Sequence, residues 1–384
     1  MSEIFPIELS PAVQNYSWGK KGKDSLVSRL LNTVDDATYA ELWMGTHLDG
    51  PVATLPDGKL LQDFIAENNL DEIPFLFKVL SVGDALSIQT HPNSEQARSL
   101  HTLDPSHYPD SNPKPEASVA LSRVELLYGF RHPNEIKKQL EQNSETLELL
   151  NADQTKQLAT ENLTTSSYIE TIFSAVMNAN SEALTRQSTK LASRLDATDK
   201  ELSNEQKWFK KLQARYPADP GLFCFFLLNY TELNPGDSLF IEPGIVHAYL
   251  SGDMLECMAN SNNVVRAGLT RKYRDVSTLL SIANFKAQKI ELTKPIENKH
   301  WTSYHYPVSD FSISLLSPRA KFTEKSPGQH QIWLCLENTQ GSITINDSVF
   351  SLSAGKCYFL PASIGPYQVN LGEGQVAKAQ SLNS

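Results

Sequence analysis

Short apolar runs separated by turn formers make up most of the chain, and one long central stretch breaks that rhythm. Ile7 to Leu9, Val52-Ala53-Thr54-Leu55 and the nearly continuous Phe75-Leu76-Phe77-Lys78-Val79-Leu80 are such runs. The last suits a strand buried on both faces. Leu86-Ser87-Ile88-Gln89-Thr90-His91-Pro92 alternates with period two, which predicts a strand ended by proline. A short helix is predicted over Lys59 to Asn68. From Phe130 to Pro220 there is no glycine, and Lys, Gln, Glu, Leu and Ala dominate, the composition of helices. There Ile169, Ile172, Phe173, Val176 and Met177 fall at i, i+3, i+4, i+7, i+8, an apolar stripe on one helix, and Trp208 and Leu212 repeat the i, i+4 spacing. Strand character returns at Leu222 to Leu228. From Tyr304 onward, alternations such as Ile343-Thr344-Ile345 and Tyr358-Phe359-Leu360, with Gly341 and Gly355 between them, predict further short strands.

The pattern predicts a mainly β protein of the sandwich or jelly-roll kind, interrupted by an α-helical insertion. The expected domains are residues 1–131 plus 218–290, an inserted helical domain over 132–217, and a last β domain over 291–384. A weak internal repeat supports two related β domains. Gly236-Asp237-Ser238-Leu239-Phe240-Ile241-Glu242-Pro243-Gly244 resembles Gly355-Lys356-Cys357-Tyr358-Phe359-Leu360-Pro361-Ala362. Aligning Pro243 with Pro361 sets His247 opposite Gly365, so the second copy keeps the strand and turn and loses the histidine.

Composition narrows the function classes. The 384 residues are 40% apolar and 20% charged, with a net charge of -10. That balance argues against a general nucleic-acid binder or a binder of anionic membranes, and an anionic substrate must meet a local cluster of Arg and Lys. The start, Met1-Ser2-Glu3-Ile4-Phe5-Pro6, has no basic n-region, and no stretch is apolar enough to span a bilayer, so a cytoplasmic location is expected. Cys224, Cys257, Cys335 and Cys357 lack the close spacing of a thiolate zinc site and are expected to be buried thiols.

Candidate chemistry begins at Gln89 and His91, which share one strand face and can converge on a metal ion. They could equally be the polar end of a half-exposed strand. In Asn112-Pro113-Lys114-Pro115-Glu116 the prolines extend the backbone and set Lys114 and Glu116 on one side, as a metal carboxylate beside an ammonium or as a plain surface ion pair. Asn263 to Tyr273 holds Arg266, Arg271 and Lys272, either a phosphate cradle or a basic surface turn. Gly236-Asp237 followed by Pro243-Gly244-Ile245-Val246-His247 resembles the second motif of cupins, jelly-roll proteins that hold a metal through histidine and carboxylate ligands.

Several stretches together, in this order, resemble the type I phosphomannose isomerases: Leu86 to Pro92, Lys114-Pro115-Glu116, Pro243 to Tyr249, Glu256-Cys257-Met258-Ala259 and Val265 to Thr270. Gln14-Asn15-Tyr16-Ser17-Trp18-Gly19, Glu41 to His47 and Tyr128-Gly129-Phe130-Arg131 add to the match. The resemblance implies two cupin-type jelly-roll domains with an inserted α-helical domain, the C-terminal one lacking metal ligands. It implies one Zn2+ per chain held by Gln89, His91, Glu116 and His247. Arg266, Lys114 and Glu256 would be catalytic, and Ser87, Lys272, Trp18 and Glu41 would meet the substrate. The expected reaction is interconversion of mannose 6-phosphate and fructose 6-phosphate through a cis-enediol, on the route to GDP-mannose. The expected partner is a sugar phosphate, with no nucleic acid and no membrane, and the chain is expected to be monomeric. Two positions depart from the family: Pro113 stands where His is usual, and Asn262 where Asp is usual. They keep open a cupin that binds a sugar phosphate without turnover. A metal-dependent oxygenase is a further alternative.

Overall fold

The computed structural model describes residues 5–47, 50, 52–160, 163–325 and 327–382. Its organising element is the 13-residue strand His247–Ala259. The second half of that strand runs antiparallel to Phe75–Val82 on one side and Glu116–Ala120 on the other. The first half turns to pair with Val124–Phe130, and His247 lies opposite both Tyr128 and Gln89. The bend between the halves is at Gly252, whose φ is +117° and where a Cβ would sit 2.6 Å from the Arg123 carbonyl oxygen. Only glycine satisfies both the conformation and the close approach.

Phe75–Val82 is buried along its whole length, as its nearly unbroken apolar run predicts, and is flanked by Glu41–Gly45 and the bent strand. Ile88–Thr90 pairs with Val265–Gly268, so the two segments that carry Gln89 and Arg266 are neighbours in one ladder. The fold class is the expected one: mainly β, with a run of helices set between Val124–Phe130 and Leu228–Leu233.

The helical run opens at Pro133, the first residue of Pro133–Gln142, where the missing N–H costs nothing. The stripe of Ile169, Ile172, Phe173, Val176 and Met177 lies on Thr165–Asn178 and is buried. It packs against Phe130 and the segment Leu222 to Leu228 in a single core, each large side chain contributing roughly 1.5–3 kcal/mol of gross burial.

Three expectations change. Leu222 to Leu228 is not a strand throughout: Gly221–Cys224 is a short helix and the strand begins at Leu228. The whole run is buried, and an unbroken apolar run carries no period by which a strand can be told from a buried helical turn. The helix expected over Lys59 to Asn68 is shorter, Leu61–Glu67. Ile7–Leu9, expected within the first β domain, instead pairs with Cys357–Leu360 in the seven-stranded C-terminal sheet. Apolar residues mark a strand without naming its partner.

The C-terminal region packs that sheet against a four-stranded one across Trp333, Tyr358 and Tyr367. Ser238–Ile241 and Cys357–Leu360 are both strands, as the repeat predicts. All four cysteines are free and buried. No described helix is long and apolar enough to cross a membrane.

Lys378 projects from Val376–Gln380 opposite Ser314 and Trp333, its amine 4.3 Å from the centroid of the Trp301 ring. Burial brings its pKa down from 10.5 to about 8, against the pull of Glu324. The unfolded chain therefore holds a proton between pH 8 and 10.5 that the folded chain releases, and below pH 8 the folded state carries the full cost of a confined ammonium. Lys378→Met is expected to stabilise the protein at pH 7 by ~1–3 kcal/mol, discounted for residual solvent contact and the lost ring contact. The gain in melting temperature should shrink as the pH is raised from 8 to 10.5, and a gain independent of pH would show that the amine costs nothing.

Candidate active site

His247 is the first residue of the bent strand, Glu116 is the first residue of Glu116–Ala120, and His91 directly follows Ile88–Thr90. Gly244, at φ +84°, makes the turn ahead of His247, and its N–H donates to the His91 carbonyl at 2.8 Å, tying the two histidine segments together. Nε2 of His91 lies 3.3 Å from one Glu116 oxygen, and Nε2 of His247 lies 3.3 Å from the other. The ligand atoms of the three side chains all fall within 4.8 Å of one another.

Hydrogen bonding fixes the tautomers. His91 Nδ1 is 2.8 Å from the Asn263 carbonyl, and His247 Nδ1 is 2.9 Å from the Ile245 carbonyl. A carbonyl only accepts, so each Nδ1 carries the proton and each Nε2 turns a lone pair toward Glu116. Neither Nε2 has a hydrogen-bond partner among the described residues. Two lone pairs facing a buried carboxylate form a donor set for a divalent cation, and two imidazoles with one carboxylate suit zinc. Burial lowers the His91 pKa to about 4. Burial alone would raise the Glu116 carboxyl, but the Lys114 ammonium beside it opposes this, and the carboxyl lies well below its ordinary value. A neutral imidazole and an ionised carboxylate are the states that metal binding requires.

Gln89 lies opposite His247 on one side and Arg266 on the other, and its Oε1 accepts from the Ser87 hydroxyl at 3.2 Å. Gln89 and Glu116 reach the wall of a cavity of about 600 Å³, whereas the two histidines, 1% and 2% exposed, are not on that wall. Lys114 reaches it with Nζ 3.4 Å from Glu116 Oε1. Trp18, Glu41, Ser87, Glu256, Arg266 and Lys272 line the same cavity. The fold thus gathers the residues singled out in the sequence from six separate segments. Arg266 is more than half buried, and burial lowers its guanidinium pKa.

Two cations escaped the sequence reading. Lys78 lies 3.1 Å from Glu256 and 3.9 Å from Glu41, with its amine 5.0 Å from the Trp43 ring centroid. Burial would lower its pKa, yet Glu256 and Glu41 raise it; burial raises Glu256, which Lys78 opposes. The clue was present as a lysine in the middle of an otherwise apolar strand, but its partner Glu256 is 178 residues away. Arg215, from the end of the helical run, also faces the cavity and pairs with Asp84. The wall carries six cationic side chains, Lys78, Lys114, Arg215, Arg266, Arg271 and Lys272, against the three carboxylates Glu41, Glu116 and Glu256. In a chain of net charge -10 this is the local cationic cluster that an anionic substrate needs. Of the two departures, Asn262 lines this cavity, and Pro113 lines a separate one beyond it.

The family description "Phosphomannose isomerase type I, catalytic domain" matches residues 6–133, and "Phosphomannose isomerase type I, helical insertion domain" matches residues 135–228. Mannose-6-phosphate isomerase from Macaca fascicularis is 38% identical over 355 residues, covering 84% of each chain. Mannose-6-phosphate isomerase 2 from Arabidopsis thaliana is 36% identical, covering 95% of this chain and 90% of its own. A crystal structure of a lysine-to-alanine mutant of phosphomannose isomerase from Salmonella typhimurium superposes with a TM-score of 0.87 at 28% identity, over 99% of this chain and all of that one. A zinc-bound mannose 6-phosphate isomerase structure gives 0.85 at 27% identity, over 98% of this chain and 100% of that one. Matched by both family descriptions over most of its first 228 residues, and sharing its fold with these structures, the chain belongs to the type I phosphomannose isomerase family.

Proposed function

We propose that the protein is a zinc-dependent aldose–ketose isomerase that interconverts mannose 6-phosphate and fructose 6-phosphate through a cis-enediol. The observation that carries this reading is the convergence of His91, Glu116 and His247 beside a deep cavity with six cations on its wall. One Zn2+ per chain would be held by these three residues with Gln89, and when bound it supplies a Lewis acid for a sugar oxygen. Gln89, as a weak neutral donor, would leave that ion more electrophilic than a second carboxylate or a third imidazole in its place.

The chain's own residues divide the remaining work. Isomerisation moves the C2 proton of the open-chain aldose to C1, and negative charge develops on oxygen on the way. Arg266, desolvated on the ladder beside Gln89, is placed to stabilise that charge in a setting where each interaction is stronger than in water. Lys114 and Glu256 are the groups to hold and move the proton, Lys114 beside Glu116 and Glu256 beside Lys78. Lys272 and Ser87 would grip the phosphate, with Trp18 and Glu41 on the sugar. The reading assigns residues 1–131 with 218–290 to the catalytic cupin domain, apart from the strand Ile7–Leu9. It assigns 132–217 to the insertion and 291–384 to a C-terminal cupin domain without metal ligands. On this reading the protein would act as a cytoplasmic monomer. Asn262 on the cavity wall supports one second reading, a sugar-phosphate binder without turnover.

A coupled assay following fructose 6-phosphate from mannose 6-phosphate decides between them: turnover by zinc-loaded protein is expected, and its absence sinks the isomerase reading. Glu116→Gln replaces the anionic ligand by a neutral amide, so zinc per chain, measured by elemental analysis after dialysis, should fall together with kcat. Full activity in a metal-depleted sample would remove zinc from the mechanism. Arg266→Ala should keep its zinc and lose about 10²–10³ in kcat, and a wild-type rate would refute the role given to Arg266.

A further inference from the structure

The segment after Val265–Gly268 supplies Leu269, Thr270, Arg271 and Lys272 to the cavity wall. Beyond Gly268 this segment has left its strand, and what holds it there is a buried carboxylate from the far side of the helical insertion. Asp219 lies in the turn between the helix Asn204–Gln213 and the short helix Gly221–Cys224, and is 7% exposed. Its Oδ1 accepts from the N–H of Leu269 at 2.8 Å and of Gly221 at 2.7 Å, and its Oδ2 accepts from the N–H of Thr270 at 3.3 Å. The two backbones touch at this point. A Cβ on Gly268 would lie 2.5 Å from the Gly221 Cα, and one on Gly221 would lie 2.7 Å from the Leu269 nitrogen.

We propose that Asp219 is a positioning residue for recognition of the sugar phosphate, fixing the Leu269–Lys272 loop in the shape that offers its cations to the phosphate. The assignment rests on the isomerase reading above. The argument begins with Leu269, a side-chain-bearing residue at φ +53°, a conformation that persists only when the surroundings impose it. The two adjacent N–H groups, on Leu269 and Thr270, both end on Asp219, and charge-assisted acceptance of both is what a left-handed bend needs for support. The order then passes along the loop, because the Thr270 hydroxyl oxygen accepts from the Lys272 N–H at 3.0 Å. The backbone of the same residue is tied to another part of the wall, the Asp219 N–H donating to the Tyr216 carbonyl at 3.0 Å, and Arg215 and Tyr216 line the cavity too. Arg266 is held separately, by the ladder with Gln89. Loss of Asp219 should therefore loosen the phosphate end and spare the end where chemistry occurs.

Asp219→Asn turns one acceptor into a donor aimed at backbone N–H groups. It is expected to raise KM for mannose 6-phosphate about tenfold, with kcat within about threefold of wild type. The inhibition constant of inorganic phosphate should rise in parallel, and zinc content should be unchanged. A lower melting temperature with KM unchanged would reduce Asp219 to a structural residue and overturn the proposal, as would an equal fall in kcat and kcat/KM. If Asp219→Asn does not fold, Gly221→Ala tests the same contact. It keeps the carboxylate, adds helix propensity and pushes a methyl group against the loop, so KM should again rise, and an unchanged KM in folded Gly221→Ala overturns the idea. Titration calorimetry with inorganic phosphate separates the two levels. Wild-type protein that binds phosphate without turnover sinks the isomerase reading, and weaker phosphate binding by Asp219→Asn would still support the positioning role; equal binding would end it.

Discussion

The Glu116 carboxylate is 3% exposed and remains ionised, a state that costs several kcal/mol in a protein interior unless positive charge and donors surround it. Lys114, 3.4 Å away, answers part of that constraint, whereas the two imidazoles turn lone pairs toward the carboxylate, their outer nitrogens being anchored to the backbone carbonyls of Asn263 and Ile245. Those anchors dictate that the strand bearing His247, the turn at Gly244 and the stretch after Val265–Gly268's partner strand be rigid with respect to one another. A metal bound there would take up the uncompensated charge, so stability and metal affinity are two aspects of the same buried carboxylate.

The proposed ligands were named through the family resemblance, and the local pattern around each is compatible with that role. Gln89 is two residues from His91 on a strand, Glu116 follows a proline that extends its backbone, and His247 follows a Pro-Gly turn. Lys78 was not legible as a functional group, since what makes it one is Glu256 on the neighbouring strand, and register is a property of the folded sheet. Leu222 to Leu228 was misread for a related reason, as burial on all sides erases the periodicity that separates helix from strand. Asp219 gave no local cue, because its acceptor role arises from Leu269 and Thr270, some 50 residues further on. The class of fold and its helical insertion could be read from composition and period, while the pairing of Ile7–Leu9 with the last sheet could not.

The helical insertion is more than a decoration of the barrel. Its stripe of large apolar side chains shares a core with Phe130 and with Val246, Ala248 and Leu250 around the start of the bent strand. It also delivers Arg215 and Tyr216 to the cavity. Removing that packing would expose the back of the strand that carries His247, so the site and the insertion are mechanically one unit even though they lie in different stretches of the chain.

The pairing of Ile7–Leu9 with Cys357–Leu360 also shapes how the chain must be made. The early strand emerges 350 residues before its partner (357 − 7), and at a synthesis rate of roughly 5–20 residues per second it waits on the order of 20 to 70 s. During that interval its backbone edge is unpaired, while the sheets between the two ends can already form. Closure of the last sheet then clasps Ile7–Leu9 to Cys357–Leu360 across the whole intervening fold, a contact that can form only once the later strand has been translated.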